Sequence, residues 1–295
     1  MLDEFLARIE EKNALHTKFL TASMVDITDA EKSKLEILLE FYTSRGDSIQ
    51  QIADKYLRLI DHLLEEQKFF VETGKYRNST FSQVKDLYQS SGYMDCYVVG
   101  LGVSTYLWET HRGIMRFFIA NLPVIRTAGT YLEIGPGHGE YFVTAMQNTN
   151  LEKYVALDIS PTSVATTKAF VTHSKATANK RYQVSQGDFL SYSGSEKYDA
   201  VVMGEVLEHV ENPLEFLRSV AKVAKKDAFI FITTAINAPQ LDHIYHFKNE
   251  EEIIALFGQA GLKVVDHVAM TTGGMIERAV KQKRAIVVGY SLRHE

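Results

Sequence analysis

Residues 205–209, Glu-Val-Leu-Glu-His, set two carboxylates and an imidazole within about one helical turn, directly after the apolar run YDAVVMG at 198–204. That spacing lets Glu205, Glu208 and His209 point to one side of a short turn. Carboxylate oxygens with an imidazole nitrogen suit Mg²⁺, Mn²⁺, Fe²⁺ or Zn²⁺, and the segment LDHIYHF at 241–247 offers a fourth ligand, His243 first and His246 in reserve. Without a metal, His209 and Glu205 retain the chemistry of general bases.

The second candidate feature is TYLEIGPGHGEYF at 130–142, a three-glycine turn between an apolar strand and a helix. Glycines are needed where a backbone turns tightly and a ligand approaches without Cβ atoms in the way. A dinucleotide turn has the spacing G-x-G-x-x-G, which would put its third glycine at position 140. That position is Glu140, and the glycines here are Gly135, Gly137 and Gly139. An acidic residue opening the helix also opposes a pyrophosphate, whereas it tolerates a cofactor carrying an amino group and a sulfonium. Charge therefore turns the reading away from a nicotinamide dinucleotide.

Taken in order, LEIGPGHGEY, VALDIS, QGDF and GEVLEHVENP resemble the successive motifs of class I S-adenosylmethionine (SAM)-dependent methyltransferases, over roughly 130–270. The resemblance implies that Glu133, Gly135, Gly137, Gly139 and Gly204 lie along SAM. It puts Asp158, with Ile159 beside it, on the ribose hydroxyls, because two carboxylate oxygens can accept from a vicinal diol in parallel. Asp188 and Phe189 would then meet the adenine. The E-V-x-E-H pattern further resembles metal-dependent members, the small-RNA 2′-O-methyltransferases and the ubiquinone-pathway O-methyltransferases. It maps onto Glu205, Glu208, His209 and His243. Other members carry LEHV without a metal.

These groups need elements to hold them. From Thr130 onward, short β-branched runs alternate with amphipathic stretches, the grammar of a parallel sheet covered on both faces. Strands are expected at 130–135, 154–159, 181–186, 198–203, 228–234, 262–269 and 284–291. The linker MTTGGMIERAVKQ is poor in helical pattern, which favours an antiparallel final pair. The expected fold class is thus α/β, a doubly wound, seven-stranded, mainly parallel sheet with a helical N-terminal region, which the resemblance implies to be of Rossmann-like methyltransferase type.

Residues 1–125 read as helical and 126–295 as the SAM-binding domain, with a composition shift near Pro123. The segment 93–118 is rich in aromatics. Tyr93, Tyr97, Tyr106, Trp108 and His111 are the expected acceptor contacts, under helices that form a lid, a homodimer surface or both. His138 is a further pocket candidate.

The chain has 295 residues, 37 acidic against 32 basic, and a formal net charge of -5, so no basic footprint for a phosphate backbone is present. A small-molecule methyl acceptor is the expectation, with no nucleic acid. If a metal binds, an acceptor with two adjacent oxygens fits it: a catechol, a diol or an α-keto acid. RNA 2′-O-methylation and a non-catalytic SAM-binding regulator are the competing readings. The single cysteine, Cys96, has no disulfide partner and fits a reducing compartment. The segment MLDEFLARIEEKN lacks the layout of a signal peptide and no run spans a bilayer, so the expected location is cytoplasmic with no membrane partner.

Overall fold

The computed structural model describes residues 1–125, 129–175, 180–192 and 194–295. Seven helices precede the first strand: α1 (Leu2–Lys12), α2 (Ala14–Ser23), α3 (Asp29–Ser44), α4 (Ile49–Thr73), α5 (Phe81–Gln89), α6 (Ser91–Leu107) and α7 (Glu109–Asn121). Local chemistry sets their ends. Thr28 with Glu31 and Ser48 with Gln51 form reciprocal capping boxes at α3 and α4. Gly74, in the left-handed region, closes α4 by donating to Phe70 O.

The remaining chain alternates β1 (Thr130–Ile134), α8 (Glu140–Asn148), β2 (Lys153–Asp158), α9 (Pro161–His173), β3 (Arg181–Gln186), β4 (Tyr198–Gly204), α10 (Pro213–Val223), β5 (Ala224–Ile236), α11 (Glu250–Gln259), β6 (Leu262–Met270), α12 (Ile276–Gln282) and β7 (Ile286–His294). The sheet order is β3-β2-β1-β4-β5-β7-β6. β7 runs antiparallel to both β5 and β6, and the other pairings are parallel. The expected sheet is therefore present, with the antiparallel final pair.

The other strand bounds lie within about three residues of the sequence reading, and the largest difference is at the start of β5. β5 begins at Ala224, four residues earlier than the apolar run suggests, because Lys225, Lys226 and Asp227 are exposed at its start while Ala224 pairs with Tyr198 across a register shift. A polar strand end carries no hydrophobic signal.

Alternation along β1 divides the core in two. Leu132 and Ile134 join the face covered by α10 and α11, with Phe216, Leu217 and Phe257. Tyr131 faces the other way, towards Phe142, Phe170 and the N-terminal helices, which bring Phe41, Tyr42, Val103 and Phe118 into the same continuous core. Phe41 meets Phe170 at 5.0 Å between ring centroids, and Phe118 meets Phe231 at 4.9 Å. The helical region is thus packed into the sheet's own hydrophobic layer.

α6 is buried along most of its length. Its Gly102 leaves room for the Tyr42 hydroxyl and His138, so this helix sits directly on the glycine turn. A third, smaller cluster forms a roof: Val84 and Tyr88 of α5 and Met94 and Val98 of α6 pack on Ile244, beside Ile159 at the tip of β2.

Candidate active site

The roof and the carboxyl ends of β1, β2 and β4 enclose a cavity of about 440 Å³. Its wall is largely apolar, with Phe81, Met94, Tyr97, Leu157, Ile159 and Phe189 among the contributors. Asp158, Asp188, Glu205, Glu211 and Glu215 supply carboxylates, His209 an imidazole, and among the described residues no lysine or arginine lines it. Such a lining favours a positively charged ligand and opposes a pyrophosphate.

At the glycine turn, Gly135 and Gly137 line the cavity with φ of 69° and 54°. A Cβ on Gly137 would meet nothing within 4 Å, so this glycine keeps the backbone open to a ligand. Gly139 has a different task. It caps α8, and a Cβ there would stand 3.2 Å from Thr167 Cα, so its bareness serves the packing of α8 on α9.

Asp158 ends β2 with its carboxylate anchored: Oδ2 accepts from Gly137 N at 3.1 Å and Oδ1 from Ser160 N at 2.8 Å. Burial pushes its carboxyl up, and these two N–H donors pull it back towards the ionised form. Ile159, Asp188 and Phe189 also line the cavity. Asp188 caps the short turn after β3, accepting from Leu190 N at 3.0 Å and Ser191 Oγ at 3.1 Å.

Glu133 and Gly204 are not among the cavity-lining residues. Glu133 lies on the opposite face of β1, where its carboxylate accepts from Tyr131 OH at 2.5 Å and from Phe142 N. Gly204 lies against Tyr141, which would stand 3.0 Å from an added Cβ. The Glu133 side chain points away from the cavity because side chains on a strand alternate between faces.

The buried Glu133 carboxyl is pushed up to about 8, chiefly by desolvation, with the Tyr131 and Phe142 donors opposing. An unfolded glutamate titrates near 4.3. Between those values the folded chain holds a proton that the unfolded chain has released, so stability is greatest below the lower value and falls as pH rises towards 8. Thermal melts of the ligand-free protein from pH 5 to 8 are expected to show this decline, and Glu133→Gln to flatten it. A decline of equal slope in the variant would assign the effect to other groups, Glu140 first, which burial pushes up to about 7.

After β4 the chain turns through Glu205, a non-glycine residue at φ 51°. The left-handed backbone costs energy for such a side chain and marks a place held by its surroundings. β5 supplies the hold. Thr233 Oγ1 donates to Glu205 Oε1 at 2.7 Å, and the next residue, Thr234, donates to Glu208 Oε2 at 2.7 Å.

Glu208 Oε1 is buried without a hydrogen-bond partner. Burial and the charge of Glu205 push the Glu208 carboxyl well up. Ligand atoms of Glu208, His209 and His243 lie within 4.8 Å of one another. His243 Nδ1 stands 2.6 Å from Ala238 O and therefore carries the proton, which leaves Nε2 free. Burial keeps His243 well below its usual range, hence neutral, the form a metal requires.

The aromatic candidates separate. Tyr97 lines the cavity, and Tyr93 stacks on it at 5.7 Å. Tyr106, Trp108 and His111 are engaged elsewhere: Tyr106 donates to Glu140 at 2.9 Å, Trp108 Nε1 to Tyr56 OH at 2.8 Å, and His111 Nδ1 pairs with Ser104 Oγ at 3.0 Å. They form a polar seam between α6, α7 and α8, away from the cavity lining. His138 is half-buried in that seam beside Gly102. His246 pairs with Asn237 at 2.8 Å and packs on Tyr76 and Phe70, apart from the three-residue cluster. Sequence reasoning missed Phe81, Tyr88, Met94, Thr233, Thr234 and Asp242. Of these, only the adjacent threonines in FITTAI carried a signal, as paired hydroxyls in an otherwise apolar strand.

A family model described as a methyltransferase domain matches residues 107–267. The chain belongs to the class I SAM-dependent methyltransferases. The match begins at the end of α6, so α7 lies within the family's domain. No curated protein matches this methyltransferase in sequence. Among solved structures, the mitomycin 7-O-methyltransferase MmcR aligns with a TM-score of 0.55 at 15% identity, over 79% of this chain and 68% of that one. The cyclase SpnF aligns with a TM-score of 0.51 at 14% identity, over 63% and 82%. At such identities the likeness concerns the fold, and fold alone does not determine the acceptor.

Proposed function

We propose that this methyltransferase acts on a small metabolite whose two neighbouring oxygens chelate a divalent ion held by Glu208, His209 and His243. The observation that carries the reading is the buried, unpartnered Glu208 Oε1 beside two imidazoles. Two imidazoles and a carboxylate form a donor set suited to Mn²⁺, Fe²⁺ or Zn²⁺.

SAM, when bound, supplies a methyl group on positively charged sulfur, and the ion, when bound, lowers the pKa of an acceptor oxygen. The protein's own work is positioning. In this reading Gly135 and Gly137 admit the methionine end, Asp158 accepts from the ribose hydroxyls, and Asp188 and Phe189 border the adenine. Glu205 is the glutamate of the cluster that reaches the cavity, and it takes the acceptor's proton. Tyr97 and Tyr88, on the roof, exclude water from that end. A catechol, a vicinal diol or an α-keto acid has the required pair of oxygens. RNA is disfavoured by a roofed cavity with five carboxylates and, among the described residues, no lysine or arginine in its lining.

The test combines metal analysis of the purified protein with labelled SAM and a panel of catechols, diols, α-keto acids and short RNAs. Transfer to a small chelating acceptor is expected, abolished by EDTA and restored by Mn²⁺. Turnover indifferent to the chelator would remove the metal from the mechanism, and label in RNA alone would overturn the acceptor class.

A further inference from the structure

Asp242 precedes His243 in the loop after β5 and is fully buried. One of its carboxylate oxygens, Oδ1, has no hydrogen-bond partner. The other, Oδ2, accepts from Tyr88 OH at 3.3 Å and stands 3.4 Å from His209 Nδ1. The same imidazole nitrogen is 3.0 Å from the Tyr88 oxygen and 3.1 Å from the main-chain carbonyl of Asp242.

A carbonyl and a carboxylate can only accept. Two of the three groups around His209 Nδ1 are therefore acceptors by nature, and the third, Tyr88, can spend its own proton on Asp242. The arrangement is satisfied when Nδ1 carries the ring proton. The lone pair then resides on Nε2.

We propose that Asp242 and Tyr88 are positioning residues that fix the tautomer and orientation of His209, presenting its Nε2 to the metal ion. As far as the ion is concerned, this rests on the metal reading above; the tautomer does not. Tyr88 comes from roof helix α5 and Asp242 from the loop behind the imidazole, so roof and sheet meet at a single ring nitrogen. Outer groups of this kind raise the affinity of the ligand they orient.

The geometry separates this role from simple loop anchoring. An anchoring aspartate draws backbone N–H donors to both oxygens, as Asp158 does. Asp242 Oδ2 accepts from Tyr88, Tyr93 also comes close to this carboxylate, and among the described residues no backbone N–H donates to either oxygen.

The experiment uses the full chain with ¹⁵N-labelled histidine, as wild type, Asp242→Asn and Tyr88→Phe. Ring-nitrogen shifts of the metal-free protein report the His209 tautomer, and calorimetric titration with Mn²⁺ alone reports the affinity. Wild type is expected to show a protonated Nδ1. Asp242→Asn is expected to show a mixture of tautomers and Mn²⁺ binding weaker by about 10- to 100-fold, with SAM binding retained; Tyr88→Phe, which leaves both acceptors beside Nδ1, is expected to keep the Nδ1 proton and to bind Mn²⁺ more weakly through the lost hold on the ring. A His209 that keeps its Nδ1 proton in Asp242→Asn overturns the proposal. So does an Asp242→Asn variant that fails to fold while Tyr88→Phe leaves the affinity untouched. Should wild type take up no Mn²⁺, the metal reading falls, and the nitrogen shifts alone decide the positioning role.

Discussion

Replacing Asp158 with alanine is expected to weaken SAM binding by about 10- to 150-fold, the range for losing a hydrogen bond to a charged group. Two losses combine in that figure. The carboxylate is the proposed partner of the ribose hydroxyls, and it also ties the glycine turn to the second strand through Gly137 N and Ser160 N. Without it Gly137, whose φ is 54°, is no longer tied to β2 through that carboxylate. Asp158→Asn separates the two effects. Its amide has one accepting atom where the turn requires two, so it too is expected to bind weakly despite its similar size. Calorimetric titration of SAM into each variant measures the effect, and an isotherm identical to wild type would remove Asp158 from the cofactor site.

Deleting residues 1–120 is expected to abolish folding, although the sequence suggested helices that form a lid, a homodimer surface or both. The deletion strips Phe170 of Phe41, takes Phe118 from Tyr141 and Phe231, and removes α7 from its place against β6 and β7. Fully exposing a large apolar side chain costs about 1.5–3 kcal/mol. Uncovering about five such groups therefore consumes about 10 kcal/mol, comparable with the whole stability of an ordinary domain. Near-ultraviolet circular dichroism and a thermal melt of the 121–295 fragment decide the matter. A cooperative transition with SAM binding intact would restore the lid interpretation.

Much of the catalytic half was legible from pattern alone. Strand order of chemistry, glycine spacing and the acidic residue at the tip of β2 are local properties, because a tight turn or a buried parallel strand restricts residue type wherever it occurs. The antiparallel last pair was legible for a similar reason, since the linker has too little helical pattern for a long crossover. The aromatic segment was ambiguous. Richness in tyrosine and tryptophan says that a helix is buried, and it does not say on which side. The roof placed Tyr97 in the cavity and left Tyr106, Trp108 and His111 in the seam.

By itself the sequence determined the sheet, the glycine turn and the presence of a carboxylate–imidazole group after β4, since each depends on neighbours in the chain. Only the tertiary structure decided which of those groups meet. Glu208 and His243 are 35 positions apart, yet β5 and its following loop bring their ligand atoms within 4.8 Å. Tyr88 and Asp242 are 154 apart and share a hydrogen bond at His209. Long-range proximity is produced by packing, and packing leaves no periodic trace in any one segment.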